Sequence, residues 1–296
     1  MSWKRLLRAQ RVLVAVTDSH LFCSWMNQDQ WLWRSGSLPP DCCLDGVPLQ
    51  QDVIGDFLGE LLQDCDLPGA QVELLLPLQA CLWRLFEAGS MDGVQSVETA
   101  RSFLAGLHDS LEPGNFDVSM QQVGDDTLAV GVVGSVLQAW INVVAAADVP
   151  LRRVEWSLIS ALRAVQRSIP DDWIGDLAWL IQSSGQPGCR LLLLRNGTPE
   201  VDQSVRSNDD AVELFKTTVQ AWRALSGQQP LPLGWLATVA DEASIDPARL
   251  MNEAAADHQL LLENSWTASP LMPEQESGGL DPFIRLAFAG LCVGQS

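Results

Sequence analysis

The order strand, tight turn, strand, then helix occurs twice in this chain, and no other feature limits its fold so narrowly. Residues 11–25, "RVLVAVTDSHLFCSW", place an apolar run from Val12 to Val16 before a polar turn, Thr17-Asp18-Ser19-His20, and a second apolar run from Leu21. Residues 177–205, "LAWLIQSSGQPGCRLLLLRNGTPEVDQSV", repeat the arrangement with a glycine-containing turn, and Asn196-Gly197 then supplies the dipeptide of a two-residue hairpin. Short apolar runs bounded by turn residues read as buried strands. Helical spacing follows each set: Val53, Ile54, Phe57, Leu58, Leu61 and Leu62 within 50–65, and a second helix over 209–225. A repeated order of this kind predicts a duplicated α/β core in two lobes.

The segments between these repeats fit the same class. "QWLWRSGS" reads as a third strand, "QVELLLP" as a buried one, and "ACLWRLFEA" as another. "SVETARSFLAGLHDSL" reads as a helix with Ser96 as its N-cap. "NFDVSMQQV" and "DTLAVGVV" read as a hairpin closed at Gly124-Asp125. Residues 128–147, "LAVGVVGSVLQAWINVVAAA", carry no charge over a length that would cross a bilayer. Gly131 and Gly134 divide that run, and Val136, Leu137, Trp140, Ile141 and Val144 then fall on one helical face, so strand followed by helix is expected in place of a membrane span. "LRRVEWS" is a further strand, "LISALRAVQRSI" a helix, "LPLGWLATV" a strand, and "DPARLMNEAAADHQ" a helix opened by Asp246-Pro247.

Charge and cysteine usage exclude several functions. With 37 acids against 18 bases the formal charge is −19, a field that repels phosphate backbones, so nucleic acid is not expected as a partner. Four of the bases, Lys4, Arg5, Arg8 and Arg11, stand beside Trp3, Leu6 and Leu7 in "MSWKRLLRAQR". That arm reads either as a solvated terminus or as a contact for an anionic membrane surface or an acidic partner. Cys23, Cys42, Cys43, Cys65, Cys81, Cys189 and Cys292 include no C-x-x-C pair, and His20, His108 and His258 are scattered, so reduced thiols and no metal site are expected. No G-x-S-x-G, Walker, dinucleotide or H-E-x-x-H pattern occurs. "GVVGS" at 131–135 reads as a strand-to-helix corner before an anion site, and Asp171-Asp172 and Asp209-Asp210 as acids at helix starts. His20, with no nucleophile or metal partner in the sequence, is read as structural.

One resemblance rests on the order of these elements. "PPDCCLDGVPLQQDVIGDFLGELLQDCDLPGAQVELLLPLQACLWRLFEA", then "LAVGVVGSVLQAWINVVAAADVPLRRVEWSLISALRAV", with the turn "AAADVPLRRVEW" from Ala145 to Trp156, resembles the PilM family of actin-like cytoplasmic proteins in type IV pilus assembly. The similarity covers most of residues 11–225, and its motifs are mainly apolar patterning. It implies an actin-like, ribonuclease H-like α/β fold of two lobes: 1–165, with a β-rich insert over about 38–127, and 166–296. It also implies two phosphate loops of the form D-x-G, in which glycine admits backbone N–H groups to phosphate oxygens and the acid positions magnesium or its water. Here Ala15 replaces the first acid and Thr17 its glycine; Ser183 replaces the second acid while Gly185 is kept; and Asn208, Asp209 and Asp210 stand where a glycine pair is expected. The expectation is a pseudo-ATPase with ATP and magnesium binding weak or lost and no cofactor. The alternative is a working ATPase or sugar-kinase relative whose acids are Asp18 or Asp176.

The same resemblance implies a scaffold at the inner face of the cytoplasmic membrane, in a type IV or competence pilus platform with its motor components. Its partner would be the cytosolic tail of a PilN-like bitopic membrane protein, docked in a groove of the first lobe near strands 71–86 and 116–133 and the helix 135–147. Trp83, Phe86 and Trp140 are the aromatic candidates for that contact. The cytoplasmic domain of a type II secretion platform protein is a further alternative; the lack of a membrane segment after residue 270 favours the pilus protein.

Overall fold

A computed structural model describes residues 10–28, 30–86, 97–107, 112–123, 125–169, 175–183, 188–205, 211–225, 233–239, 246, 258–259 and 280–293. Val12, Leu13, Val14 and Ala15 are inaccessible to solvent, as expected for a strand covered on both faces. They form β1 (Arg11–Val16), which pairs antiparallel with β2 (His20–Asn27); β2 pairs antiparallel with β3 (Gln30–Ser37). A two-stranded hairpin, β4 (Cys43–Leu44) and β5 (Val47–Pro48), leads into α1 (Gln51–Asp64). That helix is the crossover that lets β6 (Gln71–Leu76) lie parallel to β1.

An inserted layer follows. β7 (Cys81–Phe86), α2 (Val97–Gly106), β8 (Phe116–Val123) and β9 (Asp126–Val133) build a three-stranded antiparallel sheet in the order β7-β9-β8, with α2 on one face. The uncharged run resolves into two elements, β9 and α3 (Gly134–Ala146), which meet at Gly134. β10 (Leu151–Trp156) then returns to β6 in parallel, completing a sheet of order β3-β2-β1-β6-β10. No helix among the described residues is long and apolar enough to cross a membrane.

The second half rebuilds that pattern. After α4 (Ser157–Ser168) come β11 (Asp176–Gln182), β12 (Cys189–Arg195), β13 (Thr198–Val205), α5 (Ala211–Leu225), β14 (Leu233–Val239), β15 (His258–Gln259) and α6 (Pro282–Val293). β11, β12 and β13 are antiparallel in sequence, whereas β14 lies parallel to β11 and β15 parallel to β14, giving the order β13-β12-β11-β14-β15. Three antiparallel strands with two parallel strands added beside the first is thus the topology of both sheets. The Asn196-Gly197 turn has both residues at positive φ, 51° and 76°, as that hairpin requires. One expectation is corrected here: His258 and Gln259, read as the end of a helix, are strand residues, paired with Gly234 and Trp235. Ser96, Gly124 and residues 247–257 lie outside the described residues.

The chain divides into two compact units, Met1–Ser157 and Leu158–Ser296. In the first, α1 and α3 pack closely because Gly55 lies against α3; a Cβ there would sit 2.5 Å from the Ala146 Cβ and 2.7 Å from the Val143 carbonyl. In the second, α4 and α6 meet at Gly290, where Ser160 donates its hydroxyl to the Ala287 carbonyl at 2.7 Å and Arg163 reaches the Gly290 carbonyl at 3.0 Å.

Candidate functional site

The first candidate is the turn between β1 and β2. Ala15 is buried in β1 between Phe22 of β2 and Leu75 of β6, so an apolar methyl occupies the strand-end position where the resemblance expects a carboxylate. Thr17 closes the turn: its N–H donates to the His20 carbonyl at 2.8 Å, and its hydroxyl oxygen accepts the N–H of His20 at 3.0 Å and of Ser19 at 3.4 Å. The Ser19 and His20 amides thus face a side chain of the turn itself.

Asp18 is directed elsewhere. Its carboxylate accepts the N–H of Gly46 at 2.9 Å and of Asp45 at 3.0 Å, and the Cys43 thiol donates to it at 3.4 Å. Asp45 and Gly46 both hold positive φ, 49° and 77°, so the β4–β5 turn presents two adjacent N–H groups as a small anion cradle, and Asp18 fills it. The turn is held from its other side by Trp140, whose indole N–H donates to the Gly46 carbonyl at 2.9 Å. The Cys43 thiol is pushed up, by burial first and then by the Asp18 carboxylate. The Asp45-Gly46 pair signals a hairpin, while the contact of Gly46 with Asp18, across 28 positions of chain, leaves no local trace.

The His20 imidazole lies between two hydroxyls, Ser19 Oγ at 2.8 Å from Nδ1 and Ser37 Oγ at 3.2 Å from Nε2. Ser37 comes from the end of β3, a neighbour that sequence spacing did not suggest. Among the described residues no group of three His, Cys, Asp or Glu side chains is arranged to hold a metal ion.

In the second unit, Ser183 follows β11 and is buried, with no hydrogen-bond partner for its hydroxyl among the described residues. Gly185, Asn208, Asp209 and Asp210 lie outside the described residues. Asp176, the other acid considered, starts β11 and so stands at the opposite end of that strand from Ser183, about 20 Å away at the rise of an extended chain. It is buried near Arg195, 3.9 Å from the guanidinium, and burial pushes its carboxyl up. Asp18 is thus engaged with the β4–β5 turn, and Asp176 lies at the end of β11 opposite Ser183.

The third candidate is the inserted sheet. Its alternate residues Phe86, Ala129, Leu82, Val118 and Met120 pack with Ala100 and Leu104 of α2, and Phe103 meets Phe86 edge-on at 5.5 Å. Phe86 thus belongs to the interior of this layer, and Trp140 is inaccessible to solvent. Of the three aromatic residues considered for partner contact, these two face inward. Trp83 is half-buried on the face of the sheet away from α2, opposite Val130, with Leu85 opposite Leu128 beside it. β7 is an edge strand: among the described strands it pairs with β9 alone.

These features define the class: a two-unit actin-like α/β protein, each unit with the same five-stranded topology, whose β1–β2 turn is closed by hydrogen bonds within its own unit. No protein-family profile matches the sequence, and no curated protein matches it. Among solved structures, the chain is similar to one described as the PilM-PilN type IV pilus biogenesis complex, with a TM-score of 0.69, 12% identity, and 98% of this chain and 99% of that chain covered. It is also similar to the cytoplasmic domain of EpsL, an inner-membrane component of the type II secretion system of Vibrio cholerae, with a TM-score of 0.53, 13% identity, and 97% and 96% covered. A protein of actin-like ATPase fold from Bacteroides thetaiotaomicron matches with a TM-score of 0.52 at 10% identity over 86% and 90%. The actin-like fold expected from the order of elements is the fold of this chain.

Proposed function

We propose that this protein is a non-catalytic scaffold of a type IV or competence pilus assembly platform, held at the inner face of the cytoplasmic membrane through the cytosolic tail of a PilN-like membrane protein. The observation that carries the reading is the closed β1–β2 turn within a fold shared over nearly its whole length with PilM of the PilM-PilN complex. The Ser19 and His20 amides are turned to Thr17, and Ala15 offers no ligand to magnesium, so the loop lacks both elements by which it would hold a nucleotide. The tail binds to the inserted layer of the first unit, where Trp83, Leu85 and Val130 give apolar contact beside β7, the strand at the end of the order β7-β9-β8. The likeness to the EpsL cytoplasmic domain supports a second reading, a type II secretion platform, in which the partner differs and the absence of hydrolysis does not.

Two titrations test the proposal. Mg-ATP at a hundred times a micromolar dissociation constant would raise stability by about 2.7 kcal/mol if it bound; no shift in melting temperature is expected. The N-terminal cytosolic peptide of a PilN-like protein is expected to bind, and Trp83→Ala to weaken it about tenfold or more. Micromolar Mg-ATP affinity removes the pseudo-ATPase part; a peptide that does not bind the wild type removes the pilus part.

A further inference from the structure

α1 carries a face that its own packing does not explain. Its buried side is Ile54, Leu58, Leu61 and Leu62, with Gly55 against α3. On the exposed side, Asp52, Asp56, Glu60 and Asp64 follow one another at intervals of four residues, which in a helix is a single stripe. The helix contains no basic residue, so every like-charged neighbour along the stripe opposes helix formation, and Asp64 in the last turn also opposes the helix dipole. Arg34 from β3 stands near the Cys65 thiol at that end; Asp52, Asp56 and Glu60 have no basic residue on their own helix.

An apolar patch adjoins the start of this stripe. Leu44 is 60% exposed, Leu49 54% and Val53 38%, three of the few large apolar side chains of the described residues that face solvent. The backbone brings their segments together: the Leu49 and Gln50 N–H groups, just before α1, donate to the carbonyl of Cys42, the residue before β4, at 2.7 and 3.2 Å, and Val53 lies four residues beyond Leu49. Asp41 and Asp45, both exposed, flank Leu44 on the hairpin. Contact between an apolar patch and a one-signed charged stripe is complementary to one chemistry, a segment with leucine-type side chains at one end and lysine or arginine along the rest. A second copy of this chain, at −19, would be repelled.

We infer that the α1 face formed by Leu44, Leu49 and Val53 with Asp52, Asp56 and Glu60 is a docking surface for a basic amphipathic segment of a partner protein. It uses elements other than the inserted sheet and does not depend on the function proposed above. The apolar anchors set position at the N-terminal end of α1, and the carboxylate ladder fixes direction and speeds encounter, so binding weakens steeply with salt.

The probe is a fluorescein-labelled amphipathic helical peptide of lysine and leucine, compared with a scrambled peptide of the same composition whose leucines share no face. Full-length protein is expected to bind the first about tenfold more tightly than the second. The triple variant Asp52→Lys, Asp56→Lys, Glu60→Lys is expected to lose about tenfold or more, and Leu44→Ser with Leu49→Ser about fivefold, both with unchanged circular dichroism. A control triple with the same charge change, Glu112→Lys, Asp125→Lys, Glu213→Lys, is expected to stay within about twofold. Equal loss in the control, or equal affinity for the scrambled peptide, reduces the effect to net charge and overturns the inference. Tighter binding after deletion of residues 1–9 would give the surface to the chain's own basic arm and overturn its assignment to a partner.

Discussion

The carboxylate of Asp18 and the backbone of Gly46 are joined across 28 positions of chain by a hydrogen bond of 2.9 Å, with the Asp45 N–H on the second oxygen at 3.0 Å. The contact makes the β1–β2 turn a clamp between two hairpins of the same unit. Because both amides need an acceptor, Asp18→Ala is expected to cost about 1–3 kcal/mol in urea denaturation. Asp18→Asn, which keeps one acceptor oxygen, is expected to cost less. If Asp18→Ala melts with the wild type, the clamp contributes nothing to stability.

A second buried carboxylate is held by two bases. Glu73 of β6 is 1% exposed and meets Arg11 through Nη2 at 2.7 Å and Nε at 2.6 Å, with Arg152 at 3.3 Å. Removing Arg11 leaves the buried Glu73 carboxylate with only the half-exposed Arg152, so Arg11→Met is expected to destabilise by less than the ~3–5 kcal/mol of a fully stranded charge, and by more than a surface pair would cost. Replacing the pair together, Arg11→Met with Glu73→Leu, is expected to recover most of that loss, since well-packed apolar residues serve as well as a buried pair. A double variant as unstable as the sum of the two single changes contradicts this account.

The alternation of Val12, Val14 and Val16 with Leu13 and Ala15, the Asn-Gly turn, and the glycine break in the uncharged run are local signals, and each produced the expected element. The repeated hairpins were enough to imply the duplicated topology, because strand order follows from which connections are short. What was not legible depends on distant contacts or on direction. β15 has only two residues, too few to interrupt a helical pattern. Phe86 and Trp140 were singled out as large aromatics in a small layer, but which side of a strand or helix is covered is decided by α2 and by the β4–β5 turn, which the local pattern does not place. That Ala15 and Thr17 depart from a D-x-G pattern is plain in the sequence; that Thr17 and Asp18 accept backbone N–H groups is visible only in the fold.

Two helical glycines separate packing from propensity. A Cβ built on Gly290 lies 1.6 Å from the Ser160 carbonyl oxygen, a backbone atom that cannot turn aside. Gly290→Ala is therefore expected to force α6 from α4 and to cost about 1–3 kcal/mol, although alanine is the better helix former. Gly59 in α1 has its nearest neighbour, the Ala147 carbonyl, at 3.6 Å, an ordinary contact. Gly59→Ala is expected to stabilise by about 0.5–1 kcal/mol. Thermal melts showing the same sign for both substitutions would contradict the packing argument.

Asp176 gives a dependence on pH whose sign follows from its surroundings. Burial pushes its carboxyl above the ordinary value of 3.8, and the Arg195 guanidinium at 3.9 Å opposes the rise without cancelling it. Below the ordinary value the side chain is protonated in both folded and unfolded chains, and its contribution to stability is complete. As pH rises the unfolded chain ionises first, so the folded state loses ground until its own carboxyl has ionised. Asp176→Asn lacks that loss but also lacks the charge that faces Arg195. Its stability relative to the wild type is therefore expected to increase with pH from about 3.8 upward and to level off once the folded carboxyl has ionised, measured as the difference in melting temperature between the two proteins in matched buffers. A difference that is constant across the titration, or that moves in the opposite direction, would mean that Arg195 outweighs burial at the start of β11.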